Sequence, residues 1–325
     1  MVQRQVIVNN IFDERLSFDE KVKQIWNYQY EHNEIYRNWC DLMKKSTVTN
    51  IDNIPFLPIS FFKTHKVVTG IFKEEVIFES SGTTGTINSQ HFIKDLSLYR
   101  QSFMRCFEMF YGNIEEWCII GLLPSYLERN NSSLVAMVDT LIKESKHANS
   151  GFYLYEFEKL KQLLEKLESQ KQKTLLIGVT FALLDLAEQF PIPLKHTTIM
   201  ETGGMKGRRK ELTRQELHDI LSKRFSLKNI HSEYGMTELL SQAYSKGDGR
   251  FHCPPWMKIV MRDEDDPFII KDRGRGVINV IDLANIDSCS FIATHDAGIV
   301  YEDGSFEILG RVDNSDIRGC SLLAI

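Results

Sequence analysis

Phe78-Glu79-Ser80-Ser81-Gly82-Thr83-Thr84-Gly85-Thr86 is a loop of small residues set directly behind the apolar run Val76-Ile77-Phe78, which reads as a buried strand ending in a turn. Its two glycines allow a tight backbone course, and the hydroxyls of Ser80, Ser81, Thr83 and Thr84 surround them. Such a loop presents N–H and O–H donors with little side-chain bulk, which is the chemistry a phosphate requires. The pattern Gly-x-x-x-x-Gly-Lys-Ser/Thr is absent from the chain, which excludes a P-loop nucleotidase. Turn formation alone also accounts for a loop of this kind. The stretches downstream decide between the two readings.

On the amino-terminal side, Ser17-Phe18-Asp19-Glu20 is a capping box, and Phe18, Val22, Ile25 and Trp26 repeat at helical spacing, so residues up to about Lys45 read as one or two helices. Ile54 to Lys63 holds two prolines and reads as an extended arm. Beyond the loop, helical periods over Leu96–Phe110, Ser133–Ile142, Phe157–Leu167 and Leu183–Phe190 alternate with short apolar runs. Those runs, Trp117–Leu123, Leu175–Val179, Thr197–Met200 and Asn229–Glu233, read as strands, and Thr213-Arg214-Gln215-Glu216 caps a further helix. The alternation predicts an α/β fold with a mainly parallel sheet covered on both faces. From about Lys258 short strands and turns take over, with a hairpin signal around Asp303-Gly304. The glycine loop, Glu201 to Gly204 and Tyr234 to Glu238 are expected at strand carboxyl ends, where such sheets carry ligand chemistry.

Composition narrows the classes. The 325 residues are 42% hydrophobic, enough for a sizeable core, and carry a net charge of −5 from 39 basic and 44 acidic residues. The basic residues are scattered, so no nucleic-acid surface is indicated. The longest apolar tract, Thr174 to Ala187, contains Asp185 and falls short of the roughly 20 residues of a membrane span. The amino terminus lacks the apolar core of a signal peptide. Six cysteines without Cys-x-x-Cys spacing indicate neither a zinc site nor a disulfide framework, and a soluble cytoplasmic setting is expected.

His231-Ser232-Glu233-Tyr234-Gly235-Met236-Thr237-Glu238 is the second chemical stretch. A tyrosine beside a glycine can stack on a flat base, a threonine hydroxyl can meet a phosphate, and a carboxylate can hold Mg²⁺. Ile292-Ala293-Thr294-His295-Asp296-Ala297-Gly298 is the third, with an acid able to accept two ribose hydroxyls, and Gly310-Arg311-Val312-Asp313 is the fourth. In this order the stretches resemble the adenylate-forming superfamily of acyl-CoA synthetases and luciferases. Its pattern runs Ser/Thr-Ser-Gly-Thr-Thr-Gly, Gly-Gly, Tyr-Gly-x-Thr-Glu, Thr-Gly-Asp and Gly-Arg-x-Asp.

Two departures narrow the match. Thr86-Ile87-Asn88-Ser89-Gln90-His91 replaces the usual Pro-Lys after the loop, and the chain stops at Ile325, where superfamily members continue into a mobile C-terminal domain. In both respects the chain is similar to the acyl-protein synthetase (LuxE) family. That resemblance includes Pro58-Ile59-Ser60-Phe61-Phe62-Lys63 and Asp316-Ile317-Arg318-Gly319-Cys320-Ser321-Leu322-Leu323.

The resemblance implies one adenylate-forming domain of the N-terminal type over 1–325. Within it, 1–70 is a helical lead and arm, 71–257 an α/β core and 258–325 a β-rich terminal part. It implies ATP and Mg²⁺, a carboxylic acid substrate of the fatty class, and transfer of the acyl group through Cys320 to a reductase or carrier-protein partner. Ser80, Ser81, Gly82, Thr83, Thr84 and Gly85 would cradle phosphates, and Gly203 and Gly204 would line the adenine pocket with Tyr234 and Gly235. Thr237 would meet the α-phosphate, Glu238 the metal, and Asp296 and Arg311 the ribose. Two alternatives stay open at this stage: an acyl- or aryl-CoA ligase, and a non-catalytic nucleotide-binding protein that engages a partner. The residues themselves do not choose between fatty and aromatic acids.

Overall fold

A computed structural model describes residues 3–80, 87–123, 131–154, 156–203 and 212–312. The chain divides into two compact units, Phe72–Pro254 and the joined segments Met1–Ile71 and Pro255–Ile325.

The joined unit begins with helices α1 (Arg4–Ile11), α2 (Phe18–His32) and α3 (Glu34–Leu42). The capping box forms as expected, with Ser17 accepting from the Glu20 amide and Glu20 from the Ser17 amide. Helix α1 escapes the sequence reading because only Ile7 and Ile11 are buried and no side chain caps it. The proline-bearing arm is extended over strand β1 (Leu57–Pro58) and then makes one helical turn, α4 (Phe61–Thr64), beyond the last proline. Strand β1 lies parallel to a later strand, with Leu57 opposite Ile292, and Pro58 is tolerated there because β1 is an edge.

The central unit opens with a hairpin, β2 (Val76–Glu79) and β3 (Gln90–Ile93), followed by α5 (Leu96–Tyr111). A six-stranded sheet follows, ordered β5-β4-β6-β7-β8-β9. In chain order its parts are β4 (Cys118–Leu122), α6 (Ser133–Ser145), β5 (Gly151–Phe152), α7 (Phe157–Ser169), β6 (Thr174–Gly178) and α8 (Thr180–Gln189). Then come β7 (Thr197–Glu201), α9 (Arg214–Phe225), β8 (His231–Tyr234) and β9 (Ala243–Ser245). All pairings are parallel except β8 with β9. Strands β4 and β6 are buried at every residue, as a parallel strand covered on both faces must be.

One expectation is corrected here. The glycine loop does not leave a strand of the parallel sheet: β2 pairs antiparallel with β3, Phe78 opposite His91, in a separate two-stranded sheet. Only Phe78 of β2 is buried, so a short apolar run that suggested a sheet interior is half of a hairpin packed through one side chain.

The chain then returns to the joined unit with β10 (Met257–Arg262), β11 (Ile270–Lys271), β12 (Gly274–Asp282), β13 (Phe291–Val300) and β14 (Phe306–Arg311), an antiparallel set completed by β1. The Asp303-Gly304 turn closes β13 onto β14 with Gly304 at φ +81°, the left-handed conformation that suits glycine.

Helix α2 is tied to the connection between β12 and β13 by one side chain. Buried Gln29 donates from Nε2 to the carbonyls of Asn285 and Ile286, each at 3.0 Å, and its Oε1 accepts from the Ser290 amide at 3.0 Å. Gln29→Leu therefore leaves buried backbone groups without partners. It is expected to lower the free energy of unfolding by roughly 2–3 kcal/mol, read as a lower urea midpoint at unchanged slope.

Candidate functional site

The carboxyl ends of β7 and β8 lie side by side, Glu201 paired with Ser232. Past Glu201 the chain turns through Gly203, whose φ of +76° asks for glycine. Glu201 is buried at 3% exposure and gathers the surrounding donors. The Gly203 amide donates to Oε2 at 2.7 Å, and Arg214 Nε lies 3.3 Å and His218 Nε2 3.8 Å from Oε1. His218 and Arg214 stand one turn apart on α9, and Nε2 of His218 is also 3.2 Å from Ser232 Oγ. Burial pushes the Glu201 carboxyl upward, but the His218 ring, the Arg214 charge, Ser232 and the Gly203 amide outweigh it and hold the group below its ordinary range.

Beyond β8 the Tyr-Gly-Met-Thr-Glu stretch forms a turn closed by the Leu239 amide donating to the Met236 carbonyl at 3.1 Å, with Thr237 and Glu238 at its centre. Glu238 is buried, and Thr237 and Met236 are half-buried. The Tyr234 ring is 8% exposed and meets the ring of Phe251 edge-on at 6.1 Å, while Arg214 lies over Phe251 at 4.9 Å. The segment after the turn is anchored on α5, where Ser102 Oγ lies 3.1 Å from Ser241 Oγ and the Cys106 thiol donates to the Gln242 carbonyl.

The β2–β3 hairpin reaches this turn. Ser80 donates its amide to the Ser89 carbonyl at 3.1 Å and accepts the Ser89 amide on Oγ at 2.9 Å, and His91 Nδ1 lies 2.8 Å from the Thr237 carbonyl. Ser80, Thr237 and Glu238 are thus brought to one part of the central unit. Ser81, Gly82, Thr83, Thr84, Gly85, Gly204 and Cys320 lie outside the described residues.

In the joined unit, Asp296 and Arg311 are cross-strand neighbours on β13 and β14, Arg311 Nε 3.4 Å from Asp296 Oδ1. The Asp296 amide donates to Thr294 Oγ1 at 3.1 Å, and Arg262 donates to the Thr294 carbonyl at 2.9 Å. His295 stands where the superfamily pattern has glycine. Burial lowers its ring below the ordinary value, helped by the charges on Arg262, Arg311 and Lys63 and opposed by Asp296.

The cysteines separate sharply. Cys40, Cys106, Cys118 and Cys289 are buried, and burial raises their thiols, Cys40 to about 12 and Cys118 to about 11. Cys253 is half-buried.

Glu201, placed at a strand end, and Glu233, within the second chemical stretch, carried no assigned role in the sequence, and neither did Arg214, His218 or His91. The four-residue spacing of Arg214 and His218 behind a capping box was the available signal; for His91 there was none beyond its place after the loop. Glu233 is half-buried on β8, and its carboxyl is pushed up to about 8, first by burial and then by the charge of Glu201. Its Oε1 lies in the space that a Cβ on Gly235 would take. The folded chain therefore holds a proton on Glu233 that the unfolded chain releases near 4.5. Below pH 4.5 both states carry the proton; as pH rises from 4.5 towards 8 the folded state loses stability relative to the unfolded state, and above 8 the loss is complete. Glu233→Gln removes this slope. Thermal unfolding should show both proteins alike near pH 4 and the variant increasingly the more stable as pH rises to 8, by at most about 5 kcal/mol.

With this geometry in place, the comparisons with known proteins are specific. A long-chain-fatty-acid–luciferin-component ligase of Aliivibrio fischeri is 27% identical over 94% of this chain and 86% of its own length. Among solved structures, ATP-bound MatB of Rhodopseudomonas palustris superposes with a TM-score of 0.54 at 18% identity, covering 74% of this chain and 49% of MatB, so the chain spans about half the length of that protein. A 2-hydroxyisobutyryl-CoA ligase superposes with a TM-score of 0.62 at 12% identity over 95% of this chain and 68% of the ligase. These likenesses show the fold of adenylate-forming enzymes. The profile of the acyl-protein synthetase family LuxE matches residues 12–324, and the chain belongs to that family.

Proposed function

We propose that this chain uses ATP to activate a carboxylic acid as an acyl-adenylate, takes the acyl group onto its own Cys320 and passes it to a partner. The observation that carries this reading is the junction of two nucleotide motifs in one unit, the Ser80 hairpin meeting the Thr237–Glu238 turn through His91. Family membership supports it, and the name of the Aliivibrio fischeri relative supports a long-chain fatty acid as the substrate class. An acyl reductase or carrier protein is the proposed recipient.

In the first half-reaction a carboxylate oxygen of the acid attacks the α-phosphorus of ATP. The bond from that phosphorus to the oxygen bridging the β-phosphorus breaks, and pyrophosphate leaves. In the second, the thiolate attacks the acyl carbon, the carbon–oxygen bond to AMP breaks and AMP leaves, the thiol proton having gone to solvent. The chain's part is to position and to complement charge. Ser80 to Gly85 cradle phosphates; Gly203, Gly204, Tyr234 and Gly235 bound the adenine; Thr237 meets the α-phosphate. Asp296, oriented by Thr294 and paired with Arg311, takes the ribose hydroxyls.

Among the described residues no group of three or more His, Cys, Asp or Glu is placed to hold a metal ion. The buried carboxylate of Glu238 fits Mg²⁺, which is held by one or two carboxylates together with substrate phosphates. Bound there, Mg²⁺ would supply charge neutralisation at the phosphates.

Cys320 follows Arg318-Gly319 beside the Gly-Arg-x-Asp motif, and the raised thiols of Cys40, Cys106, Cys118 and Cys289 make poor nucleophiles for a mixed anhydride.

Intact-mass spectrometry after incubation with ATP, Mg²⁺ and a panel of fatty and aromatic acids is expected to show a hydroxylamine-labile acyl adduct. Cys320→Ser should abolish the adduct while leaving acid-dependent pyrophosphate exchange intact; a labile adduct on the variant removes Cys320 from the reaction. Exchange that requires CoA points instead to a CoA ligase, and no exchange with any acid to a non-catalytic protein. Glu238→Gln should slow exchange by ~10²-fold, the scale for one preorganised charge contact, and equal rates across a Mg²⁺ titration would take Glu238 out of the site.

A further inference from the structure

His91 lies between the two nucleotide motifs, and neither motif gives it a role. It stands on β3 directly opposite Phe78 of β2, 1% exposed, with Nδ1 at 2.8 Å from the Thr237 main-chain oxygen, 146 residues away along the chain. A carbonyl oxygen only accepts, so Nδ1 carries the proton and donates. The receiving carbonyl sits at the centre of the turn that Met236 and Leu239 close, where the closing hydrogen bond makes no use of it. The hairpin is fixed at its own end by the reciprocal contacts of Ser80 with Ser89, which is 3% exposed. A part-buried hydrogen bond thus joins the segment bearing Ser80 to the segment bearing Thr237 and Glu238.

We propose that His91 is a positioning residue for adenylation: by donating from Nδ1 to the Thr237 carbonyl it holds the Thr237–Glu238 turn in register with the Ser80 hairpin. This rests on the adenylation reading given above. The physical reason is that transfer at phosphorus depends on groups from both segments meeting one triphosphate, and a misplacement of about 1 Å costs on the order of 10²-fold in rate. Without the imidazole, the Thr237 carbonyl loses its donor and the turn shifts to find another.

Three substitutions separate this role from simple packing. Asparagine places an amide nitrogen where Nδ1 lies, glutamine places one where Nε2 lies, and alanine supplies neither. For His91→Ala and His91→Gln, ATP affinity measured without acid and kcat/KM for ATP in pyrophosphate exchange are expected to fall by roughly 10–100-fold, with the KM of the acid unchanged. His91→Asn should stay within about 3-fold of the parent. Without nucleotide, amide hydrogen exchange should quicken in both 76–93 and 236–240 for His91→Ala and return to the parent rate for His91→Asn.

Equal behaviour of the three variants, or faster exchange in the hairpin alone, overturns the proposal and leaves His91 a packed core residue. A parent protein that binds no ATP refutes the adenylation reading, and the coupling is then judged by amide exchange alone.

Discussion

The ionised carboxylate of Glu201 is the constraint on which the central unit depends. A charge buried to this extent is unfavourable unless donors surround it. The donors come from three places in the chain: the Gly203 amide just after β7, Arg214 and His218 on α9, and the Ser232 hydroxyl on β8. Satisfying one carboxylate therefore fixes the turn after β7, docks α9 and sets the end of β8 from which Tyr234 and Glu238 are reached. The neighbouring Glu233 shows the converse: near the charge of Glu201, and with burial against it, its carboxyl keeps a proton at neutral pH. Two acids on adjacent strands are thereby assigned opposite charge states.

The flanks of the glycine loop are built differently from the other segments of the proposed nucleotide site. They form an antiparallel hairpin outside the parallel sheet, held through Phe78 in the core and through the Ser80–Ser89 contacts. A hairpin of two short strands is marginal by itself, so its position depends on long-range contacts. The His91–Thr237 hydrogen bond is one of them.

The joined unit achieves similar precision with backbone irregularity. The register shift between β12 and β13 falls between Ala293 and Ala297 and so includes Asp296, a second shift in β13–β14 follows at Ala297–Gly298, and bulges of this kind re-aim a side chain. Arg262, donating to the Thr294 carbonyl, and Thr294, accepting the Asp296 amide, hold the acid in the direction the bulges set.

Most of the α/β order was legible in the sequence, because alternating apolar periods and capping boxes are local and the strands of a parallel sheet must be apolar on both faces. The Asp303-Gly304 hairpin and the capping box at Thr213 were legible for the same reason: each is closed by residues within a few positions of one another. Ser80, Gly203, Tyr234, Thr237, Glu238, Asp296 and Arg311 were found as motif members, since a turn that exposes donors restricts residue type in a short window. What the tertiary structure alone decided is which residues complete these motifs. The donation from His91 to Thr237 joins positions 146 residues apart, and the pairing of β2 with β3 and the enclosure of Glu201 by Arg214 and His218 join residues more than ten positions apart. Helical and strand periods say which face of an element is buried but not which distant partner covers it, and a polar side chain reveals its role only once that partner is in place.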